Sequence, residues 1–224
     1  MLHIEHQAQK GETHCGAACL SMLYRYFGVA VSQEDAWARL AVPRPSNPAE
    51  KFINTHAMAL DMLGHGLQAL AFRARDVAAS LRDCSALDIP AIVPGSRSRS
   101  QKYRLIGHFR VFVGADARGL HFNDPLIPGI QSMSVSAVRD IRCRKNGEIT
   151  GNWIVGVSNK LPAISACEAC KSSIPNAVRC ARCGFGIPLT LSRLLGCLNA
   201  ACPRRTWEQI LCPKCDLDAA EFAA

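Results

Sequence analysis

The chain has 224 residues, a formal charge of +8 from 26 basic and 18 acidic groups, and 49% hydrophobic residues, a balance that suits a folded globular protein and argues against a disordered polyelectrolyte. No stretch approaches ~18 uninterrupted apolar residues, and the first residues lack the basic and apolar runs of an export signal, so a cytoplasmic location is expected. Four of the twelve cysteines (Cys15, Cys19, Cys84, Cys143) precede residue 160 and eight lie between Cys167 and Cys215, which points to two domains, residues 1–160 and residues 161–224, the second too short to hold itself together without a metal or cross-link.

Residues 16–27 read as a buried helix, with Ala18, Met22 and Leu23 at helical spacing and Gly28 as its stop. Residues 32–40 read as a second, with Ser32 as N-cap and Asp35 completing an imperfect capping box. A third helix is expected over 54–63, ended by Gly64, then a short strand over 69–73 and a helix over 74–83. A strand over 89–93 follows. From His108 the period becomes two: 108–113 is a strand, 114–119 a turn and 120–123 the returning strand, closed by Asp124 and Pro125. A short helix over 135–141, a strand over 153–157 and a linker over 159–163 complete the first part. Helices first and an antiparallel sheet after make an α+β fold.

Cys15 stands at the start of the first helix, where the positive end of the macrodipole stabilises a thiolate. A lone cysteine there is more often structural, but this one has company. In an antiparallel hairpin the start of one strand lies beside the end of the other, so His108 and Asp124 are expected as neighbours, with the carboxylate orienting the imidazole. Gln9, six residues before Cys15, is placed to donate its amide to a developing oxyanion. Cys19, one helical turn on, is expected to be packing, Cys84 and Cys143 inert, and His121 exposed. His3, His6, His14, His56 and His65 have no matching partners. Asn123 is a weaker candidate than Asp124 for orienting the base.

The run from Gln9 through Cys15, Gly16, Ala17, Ala18 and Cys19, the Gly107, His108, Phe109 segment and the Asn123, Asp124, Pro125 segment together resemble the bacteriocin-processing cysteine peptidases, the domain that trims double-glycine leader peptides. The resemblance spans residues 7–158. It implies a papain-like cysteine peptidase fold with Cys15 as nucleophile, His108 as general base, Asp124 as orienter and Gln9 as oxyanion donor, and cleavage after small residues such as Gly-Gly.

Four cysteine pairs follow: Cys167/Cys170, Cys180/Cys183, Cys197/Cys202 and Cys212/Cys215. Three have the two-residue gap that wraps a metal in a tight knuckle, and the third pair has a gap of four. In each half nine residues separate the pairs, the mark of an internal duplication. The region resembles a double zinc ribbon with two structural zinc ions, paired sequentially: the first four cysteines on one ion and the last four on the other, with a cross-braced arrangement as the alternative. Eight thiolates on two zinc ions would cancel about four positive charges, which weakens the case for a nucleic-acid partner. The remaining basic stretch (Arg97, Arg99, Lys102, Arg104) precedes the histidine segment and could line a substrate cleft. Three function classes stand at this stage: a cytosolic cysteine endopeptidase whose ribbons recruit a protein substrate; a non-catalytic protein-binding adaptor; and an amidase, deamidase or ubiquitin-like-protein protease using the same triad.

Overall fold

The computed structural model describes residues 1–44, 47–98, 105–140 and 152–216. Arg99, Lys102, Arg104 and Cys143 lie outside them.

α1 (Cys15–Tyr26) is buried from Cys15 through Tyr24, as a central helix should be, and Gly28 at φ +74° supplies the left-handed residue that ends it. α2 (Gln33–Leu40) opens on a complete capping box: Asp35 N donates to Ser32 Oγ at 3.1 Å and Ser32 N to Asp35 Oδ2 at 3.1 Å. A hairpin of β1 (Val42–Arg44) and β2 (Asn47–Phe52) comes next, a feature the sequence reading does not anticipate. α3 (Thr55–Gly64) and β3 (Gln68–Ala74) follow. α4 (Val77–Ala86) starts three residues later than expected because Asp76 is its cap, its carboxylate accepting from the amides of Ala78 and Ala79.

β4 (Ala91–Ser98), β5 (Leu105–Asp116), β6 (Gly119–Asn123), β7 (Ile130–Met133), α5 (Val135–Asp140) and β8 (Trp153–Ser158) complete the first part. The cysteine-rich part adds the hairpin of β9 (Ala177–Arg179) and β10 (Gly186–Pro188), the one-turn α6 (Ser192–Leu195) and β11 (Trp207–Ile210).

Seven strands form one antiparallel sheet in the order β11-β3-β8-β4-β5-β6-β7. Alternation sorts its side chains. Ala69, Ala71, Val111, Val113, Val155 and Val157 face α1 and α3. Leu70, Phe72, Phe112 and Ile154 face the other way, against α4 and the residues that follow 160. The mixed helix and antiparallel-sheet architecture is the α+β, papain-like class expected from the sequence.

The cysteine-rich part is built into this sheet. β11 pairs with β3, and Ile187, Leu189, Leu194, Leu195 and Trp207 share one core with Leu70, Phe72, Leu81 and Ile154. Leu194 packs so closely over β8 that a Cβ on Gly156 would lie 2.7 Å from its Cδ1. The stretch expected as a linker is tied down, Leu161 exchanging both backbone groups with the Gln68 amide at 2.9 and 3.0 Å.

Two glycines separate two physical costs. Gly184 and Gly196 both have φ near +69°, but only at Gly196 would a Cβ meet backbone, 2.0 Å from Arg204 O. Gly184→Ala should cost about 1 kcal/mol, the left-handed penalty alone. Gly196→Ala should cost about 3 kcal/mol or more, because it adds a clash that only backbone movement relieves. Urea unfolding of both variants tests this, and equal losses would mean that the approach of Arg204 is not tight.

Candidate active site and metal centres

Cys15 is the first residue of α1. Its N-cap, His14, makes no side-chain cap bond and instead stacks on Trp37, ring centroids 3.8 Å apart. The first-turn amides are therefore not covered by a capping side chain, and they point the positive end of a buried helix at the Cys15 thiol. Gly11 makes room for this: a Cβ there would stand 2.4 Å from the His14 ring.

α1 packs along β5, with Phe109, the neighbour of His108, 3.5 Å from the position of a Cβ on Gly16. His108 lies inside β5 rather than at its start, since the strand begins at Leu105. His108 and Arg110, two apart, project to one side, and Asp124 follows the last residue of β6. His108 Nε2 donates to Asp124 Oδ1 at 2.7 Å, and both side chains are 3% exposed. The imidazole is thus held through Nε2, which directs Nδ1 away from the carboxylate. Arg110 Nε donates to Asp124 Oδ2 at 2.7 Å and the Leu126 amide to Oδ1 at 3.0 Å. Burial pushes the Asp124 carboxyl upward, but His108, the Leu126 amide and Arg110 outweigh it and hold the group well below the usual carboxylate range.

The N-terminal segment is fastened to the same corner. Leu2 N donates to Val113 O at 2.7 Å, Asn123 Nδ2 to Ile4 O at 2.7 Å, His6 Nε2 to Asp124 O at 2.8 Å, and Gln9 N to Pro125 O at 3.0 Å. Gln33 grips Gln9 from the other side: its amide accepts from Lys10 N at 2.8 Å and donates to Ala8 O at 3.2 Å. Gln9 Nε2 donates to Gly11 O at 2.6 Å and Glu12 O at 3.0 Å, bracing the loop that leads into Cys15.

The structure thus joins His108 directly to Asp124, ties Gln9 to the residue after Asp124, and places Cys15 on the helix against the same strand. His108 bonds Asp124 and not Asn123, whose Nδ2 donates to Ile4 O. Cys19 is fully buried and surrounded by Cys15 and Asp124, which with desolvation push its thiol far up. Burial likewise raises Cys84. His121, expected at the surface, is 1% exposed, with Nδ1 2.9 Å from Ser132 Oγ and Nε2 2.9 Å from an Asp116 oxygen. The sequence reading misses Arg110, Gln33 and His6. Arg110 alone carried a signal, since period two puts it on the face of His108.

The eight C-terminal cysteines form two clusters: Cys167, Cys170, Cys197 and Cys202, and Cys180, Cys183, Cys212 and Cys215, with the sulfurs of each within 4.8 Å of one another. This is the cross-braced arrangement, and the sequential pairing expected from the sequence is wrong. The reason is the equal spacing. Each half is a rail with a cysteine pair at either end and nine residues between, one rail carrying β9 and the other β11. Laid side by side in the same direction, the rails bring first pair to first pair and second to second.

Three knuckles close alike. Lys171 N donates to Cys167 O, Gly184 N to Cys180 O and Asp216 N to Cys212 O at 2.9–3.1 Å, with Lys171, Gly184 and Asp216 all at positive φ. Sulfur separations run from 3.5 Å (Cys170 to Cys197, Cys180 to Cys215) to 3.7 Å (Cys183 to Cys212) and 3.8 Å (Cys167 to Cys202). A tetrahedral ion with bonds of about 2.3 Å needs sulfurs roughly 3.8 Å apart, so both clusters fit a metal. No described cysteine is in a disulfide.

Two outcomes follow from these geometries. Cys170→Ala and Cys197→Ala should each remove one bound metal per chain, and so should the double variant. Cys170→Ala with Cys180→Ala should remove both, the reverse of what sequential pairing requires, as metal content per chain will show. The depressed Asp124 carboxyl contributes stability that is complete above the unfolded value near pH 4 and is lost as pH falls through the lower folded value. Asp124→Asn should therefore show a flatter loss of stability than the parent between about pH 5 and 2, read by chemical unfolding.

A model of the Peptidase C39 family matches residues 3–140. No curated protein sequence matches the chain. Among solved structures, the peptidase domain of Streptococcus ComA, a bifunctional ABC transporter of a quorum-sensing pathway, is similar at 19% identity and TM-score 0.50 over 70% of this chain and 100% of that one. A C39-like peptidase from Bacillus anthracis is similar at 12% identity and TM-score 0.51 over 70% and 96%. A double-glycine-motif protease from an AMS/PCAT transporter, solved with a leader peptide, gives 17% identity and TM-score 0.47 over 69% and 91%. At these identities the Streptococcus and Bacillus anthracis structures establish a shared fold. The family match covers more than half of the chain and takes in the segments of Gln9, Cys15, His108 and Asp124, and on that ground the protein belongs to the Peptidase C39 family of cysteine peptidases.

Proposed function

We propose that the chain is a cysteine endopeptidase that cleaves a peptide or protein after small residues such as Gly-Gly, with Cys15 as nucleophile, His108 as base, Asp124 as orienter and Gln9 as a donor to the oxyanion. The observation that carries this is the hydrogen bond from His108 to Asp124 beside the helix that begins at Cys15. His108 takes the Cys15 proton and the thiolate adds to the scissile carbonyl. The first-turn amides of α1 hold the oxyanion, joined by the Gln9 amide once one of its hydrogens is released from Gly11 O or Glu12 O. His108 then returns the proton to the leaving amine, and water, activated by the same imidazole, hydrolyses the thioester. Leu126, Ile127 and Ile130, exposed beside Asp124, offer an apolar landing for the substrate.

The metal is read as two structural zinc ions, one in each four-cysteine cluster. Four thiolates close a tetrahedral sphere with no position left for water or substrate, so each ion supplies a cross-link between the rails and takes no part in hydrolysis. Residues 161–224 are an added ribbon module whose inner side completes the peptidase sheet. Substrate recruitment then falls to its outer side, where Lys171, Arg182 and Lys214 are exposed. Sites made wholly of thiolates suit the reducing cytoplasm.

A synthetic leader peptide containing Gly-Gly is the test. The parent should release the leader, and Cys15→Ala should release none. His108→Ala should lose at least about a thousandfold in kcat/KM. Cleavage by Cys15→Ala would remove the nucleophile assignment, and cleavage elsewhere in the peptide would remove the Gly-Gly assignment while leaving the peptidase.

A further inference from the structure

Arg110 takes no part in the steps above, yet it holds half of the carboxylate on which the base depends. Asp124 gives one oxygen to each cation, Oδ1 to His108 and Oδ2 to Arg110, both at 2.7 Å. The Arg110 side chain is 17% exposed, with its stem lining a small cleft with Val93, Pro94 and Phe122, so water screens the pair poorly. An orienting aspartate left alone would stabilise imidazolium strongly. Paired with a guanidinium, the same aspartate presents His108 with a neutral dipole.

We propose that Arg110 is a positioning residue that cancels the charge of Asp124 and thereby sets the pH window in which Cys15 and His108 form their reactive pair. The proposal rests on the assignment of those two residues as nucleophile and base.

Few other charged groups face the pair. α1 brings Cys15 and Cys19, and the N-terminal segment brings His6, which holds the Asp124 carbonyl. β4 sets Val93, Pro94 and Gly95 opposite Arg110, Phe109 and His108, none of them titratable. α4 meets the far end of β5 through Ser85 and Ala115, while its first residue, Val77, and Val138 of α5 line the cleft of Arg110, where the adjacent charges, Asp76 and Arg139, neutralise each other as an ion pair. Cys19 stays a thiol in its buried surroundings, which leaves Arg110, among the described residues, as the charge able to move the window.

The sign follows from charge alone. Without Arg110, the uncompensated carboxylate holds the proton on His108 more tightly, and the thiolate loses a nearby cation. Both pKa values of the pair should therefore rise. The rate of Cys15 alkylation by iodoacetamide, read by peptide mass over roughly pH 4 to 10, reports both steps without any substrate. Arg110→Gln should move both limbs up by about one unit. Arg110→Lys should restore them, and so should Arg110→Gln with Asp124→Asn, which replaces a neutral pair by a neutral pair. His6→Gln should leave both limbs in place.

Limbs that stay put in Arg110→Gln while the rate falls would make Arg110 merely structural and overturn the proposal. So would a double variant that keeps the shift. If Arg110→Gln does not fold, the double variant and Asp124→Asn decide: the latter leaves Arg110 uncompensated and must move the upper limb down. Absence of selective alkylation at Cys15 in the parent would instead sink the peptidase site itself.

Discussion

A carboxylate taken out of water must be paired, and the pairing of Asp124 fixes the corner of the molecule where the chemistry sits. Leaving such a charge uncompensated would cost several kcal/mol. Three donors meet its two oxygens: the base His108, the guanidinium of Arg110 and the Leu126 amide. Its neighbours bind as firmly, since Asn123 holds Ile4, the Asp124 carbonyl holds His6 and the Pro125 carbonyl holds the Gln9 amide. The first nine residues are thereby stitched along the end of β6 and delivered to the loop that opens α1. His108 and the segment from Gln9 to Cys15 come from parts of the chain far apart in sequence, and the corner built on this one buried acid fixes His108 and Gln9 against each other.

The cysteine-rich part answers a different need. β3 would otherwise expose a row of unpaired backbone groups at the edge of the sheet, and β11 covers it. β11 is only four residues long and ends close to two cysteine pairs. A metal at each end of the two rails would hold its position, and Trp207 anchors it, fully buried with its indole donating to Cys197 O at 2.8 Å and Arg205 stacked 3.7 Å from its ring. The apolar side of the ribbon is spent on the core it shares with α4.

How much of this the sequence discloses depends on the range of the interaction. Local signals were legible: the capping box at Ser32, the stop at Gly28, the β5 and β6 hairpin that sets His108 beside Asp124, and the knuckle glycine Gly184. Signals that need a distant partner were not. β11 reads as a polar stretch between cysteine pairs because Trp207 and Ile210 are buried by a sheet formed over a hundred residues earlier. The β1 and β2 hairpin carries Pro43 and Pro48, which argue against strands unless both lie at an edge, as they do. The cluster pairing turned on how two rails align, which spacing alone does not decide. Arg110 drew no role because its partner lies fourteen residues away, just past the end of another strand.

Metal and chemistry are joined through the sheet itself. From β11 to His108 the path runs through β3, β8 and β4 to β5. The outer ladder of β11 on β3 has three paired positions with an irregularity and the interior ladder of β8 on β4 has two, whereas β3 on β8 has six and β4 on β5 has eight, the last including Gly95 opposite His108. Stability in such a sheet is not uniform, and a short ladder at the sheet's edge opens before one inside it. The edge ladder is the one that a metal in each cluster would hold at both ends, while the ladder that carries His108 is long and regular. Bound metals would therefore act where the sheet needs a clamp, and His108 and Asp124 are set where it does not, so that the cysteine-rich part would secure the sheet without touching that pair.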